Sequence, residues 1–157
     1  MQTLTIDNDT LLSGVEALLK EGRTVILKAR GQSMLPFIFP DRDSVQLERA
    51  ESLAVGDIVL VRLCRSGSPV YVMHRIIKVE GDRFTMMGDG NIAGVERFRM
   101  EDVIGKVTSI VSPDGRSRAV GRARSWRALR PVRRYLLAVY RRLPWIKRRL
   151  AASLAGK

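Results

Sequence analysis

The chain has 157 residues, 45% of them hydrophobic and only 6% aromatic, so one domain with a largely aliphatic core is expected. Its formal net charge of +12 is unevenly distributed. Of the 28 Lys and Arg residues, 12 lie in residues 122–157, and none of the 16 Asp and Glu residues does. The composition therefore predicts a neutral domain followed by a strongly basic tail.

Several protein classes are excluded or disfavoured by what the sequence lacks. The single cysteine, Cys64, excludes a disulfide within the chain and is expected in or near the core. One histidine with one cysteine cannot supply the usual metal ligands, so no metal or other cofactor is expected. No apolar stretch reaches the roughly 18 residues that span a bilayer, and the first ten residues lack the features of a secretory signal. We therefore expect a cytoplasmic protein, unless the basic tail holds it at the inner face of a membrane.

Hydrophobic periodicity predicts one short helix followed by several strands. Apolar residues at helical spacing, ended by Gly22, predict an amphipathic helix over residues 10–21. A predicted strand at 24–29 runs into a turn with Gly and Pro at 31–36. Further short strands, separated by turns rich in Gly and Asp, are predicted at 44–48, 57–63, 69–79, 83–87 and 103–111. This mostly β pattern is typical of an antiparallel β-barrel or a rolled sheet.

These elements divide the chain into four segments. We predict an N-terminal helix in residues 1–23, a β domain in 24–112, a linker in 113–121 and a basic amphipathic helical tail in 122–157.

The tail has apolar residues three or four apart, with Arg and Lys between them and breaks at Pro131 and Pro144. Such a helix can lie in an anionic membrane interface, pack on the β domain or a partner, or bind nucleic-acid phosphates, which is the least favoured of the three. Trp at both ends favours the membrane interface. The residues expected at that interface are Trp126, Arg133, Arg134, Arg141, Arg142, Trp145, Arg148 and Arg149.

Ser33 and His74 are the residues best placed for nucleophilic chemistry. Ser33 lies on a turn directly after a strand, and His74, the only histidine, lies within an apolar strand that would hold its ring. Asp89, in a Gly-rich turn, can hold the imidazole in the required tautomer. Each residue also has an ordinary structural explanation, since Ser and Asp are frequent in turns. The residues alone therefore leave a serine hydrolase as one hypothesis among others.

Five short motifs resemble, in order, those of the signal peptidase and LexA superfamily of serine proteases. They are GQSMLP at 31–36, VGDIV at 55–59, VMHRI at 72–76, MGDGN at 87–91 and DVIGKV at 102–107. The resemblance implies a coiled antiparallel β-barrel or rolled sheet, and a serine endopeptidase that cleaves a leader or signal-like peptide. His before Arg in the third motif is similar to archaeal and endoplasmic-reticulum signal peptidases. The resemblance therefore implies Ser33 as the nucleophile and His74 as its base.

The third catalytic residue is where the sequence departs from the His-type enzymes. In those enzymes an aspartate follows a few residues after the GD-x-N turn, whereas this chain has Glu96 and no aspartate there. Either Asp89 or Glu96 would therefore orient His74, with a slight preference for Asp89.

The oxyanion site also departs from the superfamily pattern, because Gly31 replaces a serine whose hydroxyl assists in many relatives. The backbone N–H of Ser33, with Gln32 as a helper, would then stabilise the oxyanion. An apolar substrate groove would be lined by Met34, Leu35, Phe37 and Ile38, although a place in the core explains each of them equally well.

Two other functions stay open. A catalytically degenerate peptide-binding module of the same fold, attached to a membrane or a partner by the tail, is the main alternative. A LexA-like regulator is less favoured, because only about 30 residues precede Ser33, too few for a DNA-binding domain and a cleavable linker. The oligomeric state is not indicated by the sequence.

Overall fold

The structure, a computed structural model, describes residues 8–91 and 93–120. Its elements in chain order are α1 (Asn8–Lys20), β1 (Val25–Lys28), β2 (Ser44–Glu48), β3 (Ile58–Arg65), β4 (Ser68–Glu80), β5 (Arg83–Met87), β6 (Glu96–Arg99), a 3-10 turn (Met100–Asp102), β7 (Val103–Val111) and β8 (Ser117–Ala119).

The strands form one antiparallel sheet in the order β1-β2-β7-β3-β4-β5-β6, with β8 paired to β7. The order begins at β1 and ends at β6, so the sheet is open rather than a closed barrel. The predicted mostly β fold with a short N-terminal helix is confirmed in its rolled-sheet form. No helix within the described ranges is long and apolar enough to cross a membrane. The predicted tail, with its membrane-facing residues, lies outside the described part of the chain.

The first half of the central strand β3, residues 58–61, is buried on both faces because the rolled sheet forms two apolar clusters. Ile58 and Leu60 belong to the larger cluster, which α1 covers, and Val59 and Val61 belong to the smaller one. The smaller cluster also contains the aromatic rings of β5 and β6, which stack with their centroids 5.2 Å apart. Strand β3 is therefore held from both sides, and it provides a rigid neighbour for β4.

Helix α1 lies against β7 and is also tied to β3. A Cβ at Gly105 of β7 would lie 2.7 Å from Leu19 Cδ1, so the absent side chain makes room for the helix. Glu16 of α1 accepts a hydrogen bond of 3.0 Å from Arg62 of β3.

Two strands and one burial state differ from the sequence-based expectation. In β6 burial alternates but only Phe98 is apolar, and all three residues of β8 are exposed, so neither has the apolar alternation that predicts a strand. Strand β8 lies within the segment predicted as a linker, 113–121. Cys64, expected in or near the core, is exposed.

Candidate active site

Ser33 lies on a turn that begins two residues after β1 ends. Gly31 has a φ of 76°, in the left-handed region that favours glycine. The Ser33 carbonyl accepts a hydrogen bond of 2.6 Å from the N–H of Gly90. A Cβ at Gly90 would lie 2.6 Å from the Gln32 carbonyl oxygen, so only glycine allows this close approach. The half-buried Ser33 is thus docked on the turn at residues 88–91.

His74 lies in β4 opposite Val59 of β3, on the face of the smaller apolar cluster. Only 5% of the residue is exposed, so packing fixes the ring. Its Nδ1 lies 2.8 Å from Oε2 of Glu96. Because an ionised carboxylate can only accept a hydrogen bond, Nδ1 is the donor, and Nε2 of the neutral ring is left as an acceptor. This is the tautomer that a general base requires.

The free nitrogen of His74 faces the turn that carries Ser33. A Cβ built on Gly88 would lie 2.9 Å from His74 Nε2 and 2.6 Å from the Ser33 carbonyl oxygen. Because both distances are measured from the same point, the Ser33 carbonyl oxygen and His74 Nε2 are no further apart than the sum of these two distances. The same point is 2.8 Å from Nδ2 of Asn91, a residue to which sequence reasoning gave no role. The fold therefore brings the predicted nucleophile and the predicted base to one place.

No hydrogen bond joins the Ser33 hydroxyl to the His74 ring in the described residues. Catalytic hydrogen bonds of this kind are often long without substrate and tighten only in the complex.

Glu96 opens β6 and contacts His74 across the sheet. Its side chain is 16% exposed, and its second oxygen accepts a hydrogen bond of 3.2 Å from Nη2 of Arg65, at the end of β3. Sequence reasoning did not single out Arg65, and no periodicity links two residues that are 31 positions apart. A carboxylate held at both oxygens is suited to orient the imidazole and to stabilise its protonated form.

Asp89 has a different partner. The residue is fully buried, and its two oxygens accept hydrogen bonds from the guanidinium of Arg75 at 2.8 to 3.1 Å. Neighbouring residues on a strand point to opposite faces, so Arg75 reaches a carboxylate that is distinct from the partner of His74. These contacts correct the slight preference for Asp89 as the orienting residue, because the carboxylate at His74 is that of Glu96.

The residues predicted for the oxyanion site lie at the surface of the turn. Gln32 is exposed, and the N–H of Ser33 donates no hydrogen bond to any described residue. This N–H is therefore available to a developing oxyanion.

The residues predicted for the substrate groove are mostly packed inside. Met34 and Ile38 belong to the larger apolar cluster, and Leu35 is 3% exposed, so the alternative of core positions fits these three. Phe37 is half-buried, and its ring lies 5.6 Å from the guanidinium carbon of Arg75. A separate hollow of about 280 Å³ lies beside the turn and is bordered by Leu11, Leu12, Leu27, Lys28, Ala29, Arg30, Val45, Leu60, Tyr71 and Met73.

An open, rolled antiparallel sheet that brings a turn serine close to a carboxylate-bound histidine is the arrangement of a serine peptidase-type fold. A family model described as Peptidase S24-like matches residues 2–108, which is more than half of the chain. The chain therefore belongs to the Peptidase S24-like family, within the LexA and signal peptidase superfamily. A comparison with curated proteins gave no significant match.

Proposed function

We propose that the chain is a serine endopeptidase in which Ser33 is the nucleophile, His74 its base and Glu96 the residue that orients the base. The observation that carries this proposal is the 2.8 Å contact between His74 Nδ1 and Glu96, because it leaves Nε2 as an acceptor beside the Ser33 turn. Family membership supports serine peptidase chemistry in general.

The mechanism follows from these positions. Nε2 of His74 takes the proton from the Ser33 hydroxyl as Oγ attacks the peptide carbonyl. The Ser33 N–H, assisted by Gln32, binds the oxyanion of the tetrahedral intermediate. Glu96 stabilises the imidazolium, which then gives its proton to the leaving amine. Water releases the acyl group by the same route in reverse.

The substrate of the proposal is a leader or signal-like peptide bound in extended form. In the order of the described strands β1 pairs only with β2, so its other edge can bind an extended segment by backbone hydrogen bonds. The 280 Å³ hollow lies along β1, at Leu27 and Lys28, and its border is mainly apolar. An apolar side chain upstream of the scissile bond fits that hollow.

The test compares the wild type with Ser33→Ala and His74→Ala in cleavage of a library of leader-like peptides, with products identified by mass spectrometry. Ser52→Ala, at an exposed serine, is the matched control. We expect cleavage by the wild type and the control only. Equal cleavage by all four proteins would contradict the proposal, and so would the absence of cleavage by the folded wild type.

A second candidate is a catalytically degenerate peptide-binding module of the same fold, with which the absence of a hydrogen bond between Ser33 and His74 in the described residues is also compatible. A serine-reactive phosphonate probe separates the two functions. An active site forms a covalent adduct on Ser33, whereas a degenerate site binds peptide and stays unlabelled.

For the tail we propose attachment to an anionic membrane surface on the cytoplasmic side. The 12 basic residues of 122–157, with no acidic residue among them, support this proposal. The full chain should co-sediment with vesicles containing anionic lipid and not with neutral vesicles. A variant with Arg133, Arg134, Arg141 and Arg142 changed to Gln should lose binding, and equal binding by both proteins would contradict the proposal.

A further inference from the structure

We propose that Arg65 is a positioning residue for the catalytic base, acting on His74 through Glu96. The inference rests on the proposed Ser33 and His74 chemistry and adds a residue that this chemistry does not itself require.

The contacts of Glu96 carry the inference. Oε2 lies 2.8 Å from His74 Nδ1 and Oε1 lies 3.2 Å from Arg65 Nη2, so each carboxylate oxygen has its own partner. A glutamate side chain has three rotatable bonds, and a single hydrogen bond leaves much of their freedom. The second contact restricts the rotation of the carboxylate and keeps Oε2 directed at the imidazole.

Both partners of Glu96 come from one hairpin, formed by β3 and β4. Arg65 ends β3 opposite Ser68 of β4, and the positive φ angles of Ser66 and Gly67 close the turn between the two strands. The same two strands pair Val59 with His74. The hairpin therefore fixes the backbone positions from which Arg65 and His74 extend, and Glu96 on β6 contacts both side chains.

Without Arg65, the Glu96 carboxylate has room to adopt a second orientation. An open, polar hollow of about 410 Å³ lies beside the Glu96 carboxylate, next to Arg65. It is bordered by Leu63, Cys64, Arg65, Val95, Glu96, Arg97 and Asp102. Loss of Arg65 would let the carboxylate turn toward water in this hollow, and His74 Nδ1 would lose its acceptor for part of the time.

The experiment uses the full chain and three variants. Arg65→Ala removes the contact, and Arg65→Lys keeps a cation. Arg62→Ala is the matched control, because Arg62 lies on the same strand and its side chain is 49% exposed, against 54% for Arg65. Arg62 also forms a 3.0 Å ion pair with a glutamate, but that glutamate is Glu16 of α1 and not the partner of His74. His74 is the only histidine, so its ring nitrogens give a single set of ¹⁵N NMR signals that report the tautomer without assignment.

The wild type and Arg62→Ala should show the tautomer with the proton on Nδ1. Arg65→Ala should raise the fraction protonated on Nε2 and lower kcat about tenfold with little change in KM, because positioning acts on the base and not on substrate binding. Arg65→Lys should recover part of both losses. A purely structural salt bridge would lower stability alike in Arg62→Ala and Arg65→Ala and leave the tautomer unchanged.

An Arg65→Ala protein with the wild-type tautomer and the wild-type kcat would overturn the inference. The two readouts also separate it from the proposed function. Absence of cleavage by the wild type contradicts the peptidase activity, whereas the NMR signals still decide whether Arg65 positions Glu96 at His74.

Discussion

Arg75 and Asp89 form an ion pair in which both side chains are almost completely buried, with Nη2 and Oδ2 2.8 Å apart. Arg75 also donates a hydrogen bond of 2.8 Å to the carbonyl of Gly56. The pair therefore joins β4 to two turns, one of which contains Gly90, the donor to the Ser33 carbonyl. His74 and Arg75 are neighbours in sequence with different contacts, since His74 faces the Ser33 turn and Arg75 holds the turn that binds the Ser33 carbonyl.

The first prediction concerns the stability that this ion pair provides. Asp89→Asn leaves the Arg75 cation buried with an uncharged partner, so we expect the free energy of unfolding in urea to fall by about 3–5 kcal/mol. Asp82→Asn is the control, because the Asp82 side chain is 74% exposed and lies 3.9 Å from Arg99, so this ion pair contributes little to the free energy of unfolding. A loss for Asp89→Asn no larger than that of the control would show that the pair does not hold this part of the fold.

The second prediction separates orientation of the base from stability. Glu96→Gln keeps the size of the side chain but removes the negative charge that stabilises the imidazolium, so we expect kcat for peptide cleavage to fall by about 10²- to 10⁴-fold. The urea midpoint should change much less than in Asp89→Asn. Glu101→Gln, at an exposed position, should retain full activity. Unchanged kcat in Glu96→Gln would show that another group orients His74.

The sequence was sufficient for the elements that have a clear periodicity or turn chemistry. Helix α1, strands β2, β5 and β7, and the strand that carries His74 have bounds close to those predicted, because apolar residues repeat at the helical or strand period and Gly or Asp marks the turns. The two missed strands, β6 and β8, lack that signal, since most of their residues are polar and exposed.

The choice between two carboxylates could not be made from the sequence. Asp89 and Glu96 are both close to the same turn, and which one meets His74 depends on the strand register that pairs Glu96 with Met86. A shift of one residue in β6 would turn Glu96 to the other face of the sheet. Asp89 instead binds the buried guanidinium of Arg75, which needs a carboxylate partner to offset its charge. The register of β6 and the burial of the Arg75–Asp89 pair arise only in the folded sheet, so the sequence alone does not reveal them.

The third prediction tests the close approach between the two turns. A Cβ at Gly88 would lie 2.6 Å from the Ser33 carbonyl oxygen and 2.9 Å from His74 Nε2, so Gly88→Ala must push the Ser33 turn away from the base. We expect a loss of about 1–3 kcal/mol in stability, with a drop in kcat that exceeds any change in KM. In Gly14→Ala the added Cβ meets nothing within 4 Å, and alanine favours the helix, so this control should be as stable as the wild type or up to about 1 kcal/mol more stable. Equal behaviour of the two variants would rule out the tight contact at Gly88.

The fourth prediction concerns acid stability and the loop that follows Ser33. Asp43 is fully buried and accepts hydrogen bonds from the Arg42 side chain at 2.8 and 3.0 Å and from the N–H of Phe39 at 3.0 Å. The Arg42 hydrogen bonds are the main cause that lowers the pKa of Asp43 below its usual value of 3.8. A carboxyl group whose pKa is lowered by folding stabilises the fold above its unfolded pKa, and this contribution is lost as the pH falls through the folded pKa.

Asp43→Asn should therefore lower the free energy of unfolding by about 1–3 kcal/mol at pH 7. The difference from the wild type should shrink as the pH falls below about 4, since the wild-type carboxyl then also becomes neutral. Urea titrations of both proteins between pH 2 and pH 7 measure that difference, and titration of other carboxyl groups cancels in the comparison. Glu80→Gln is the control, because Lys78 also lowers the pKa of Glu80 but the ion pair is exposed and should contribute little. A difference between wild type and Asp43→Asn that stays constant over this range would show that the charge of Asp43 does not stabilise the loop.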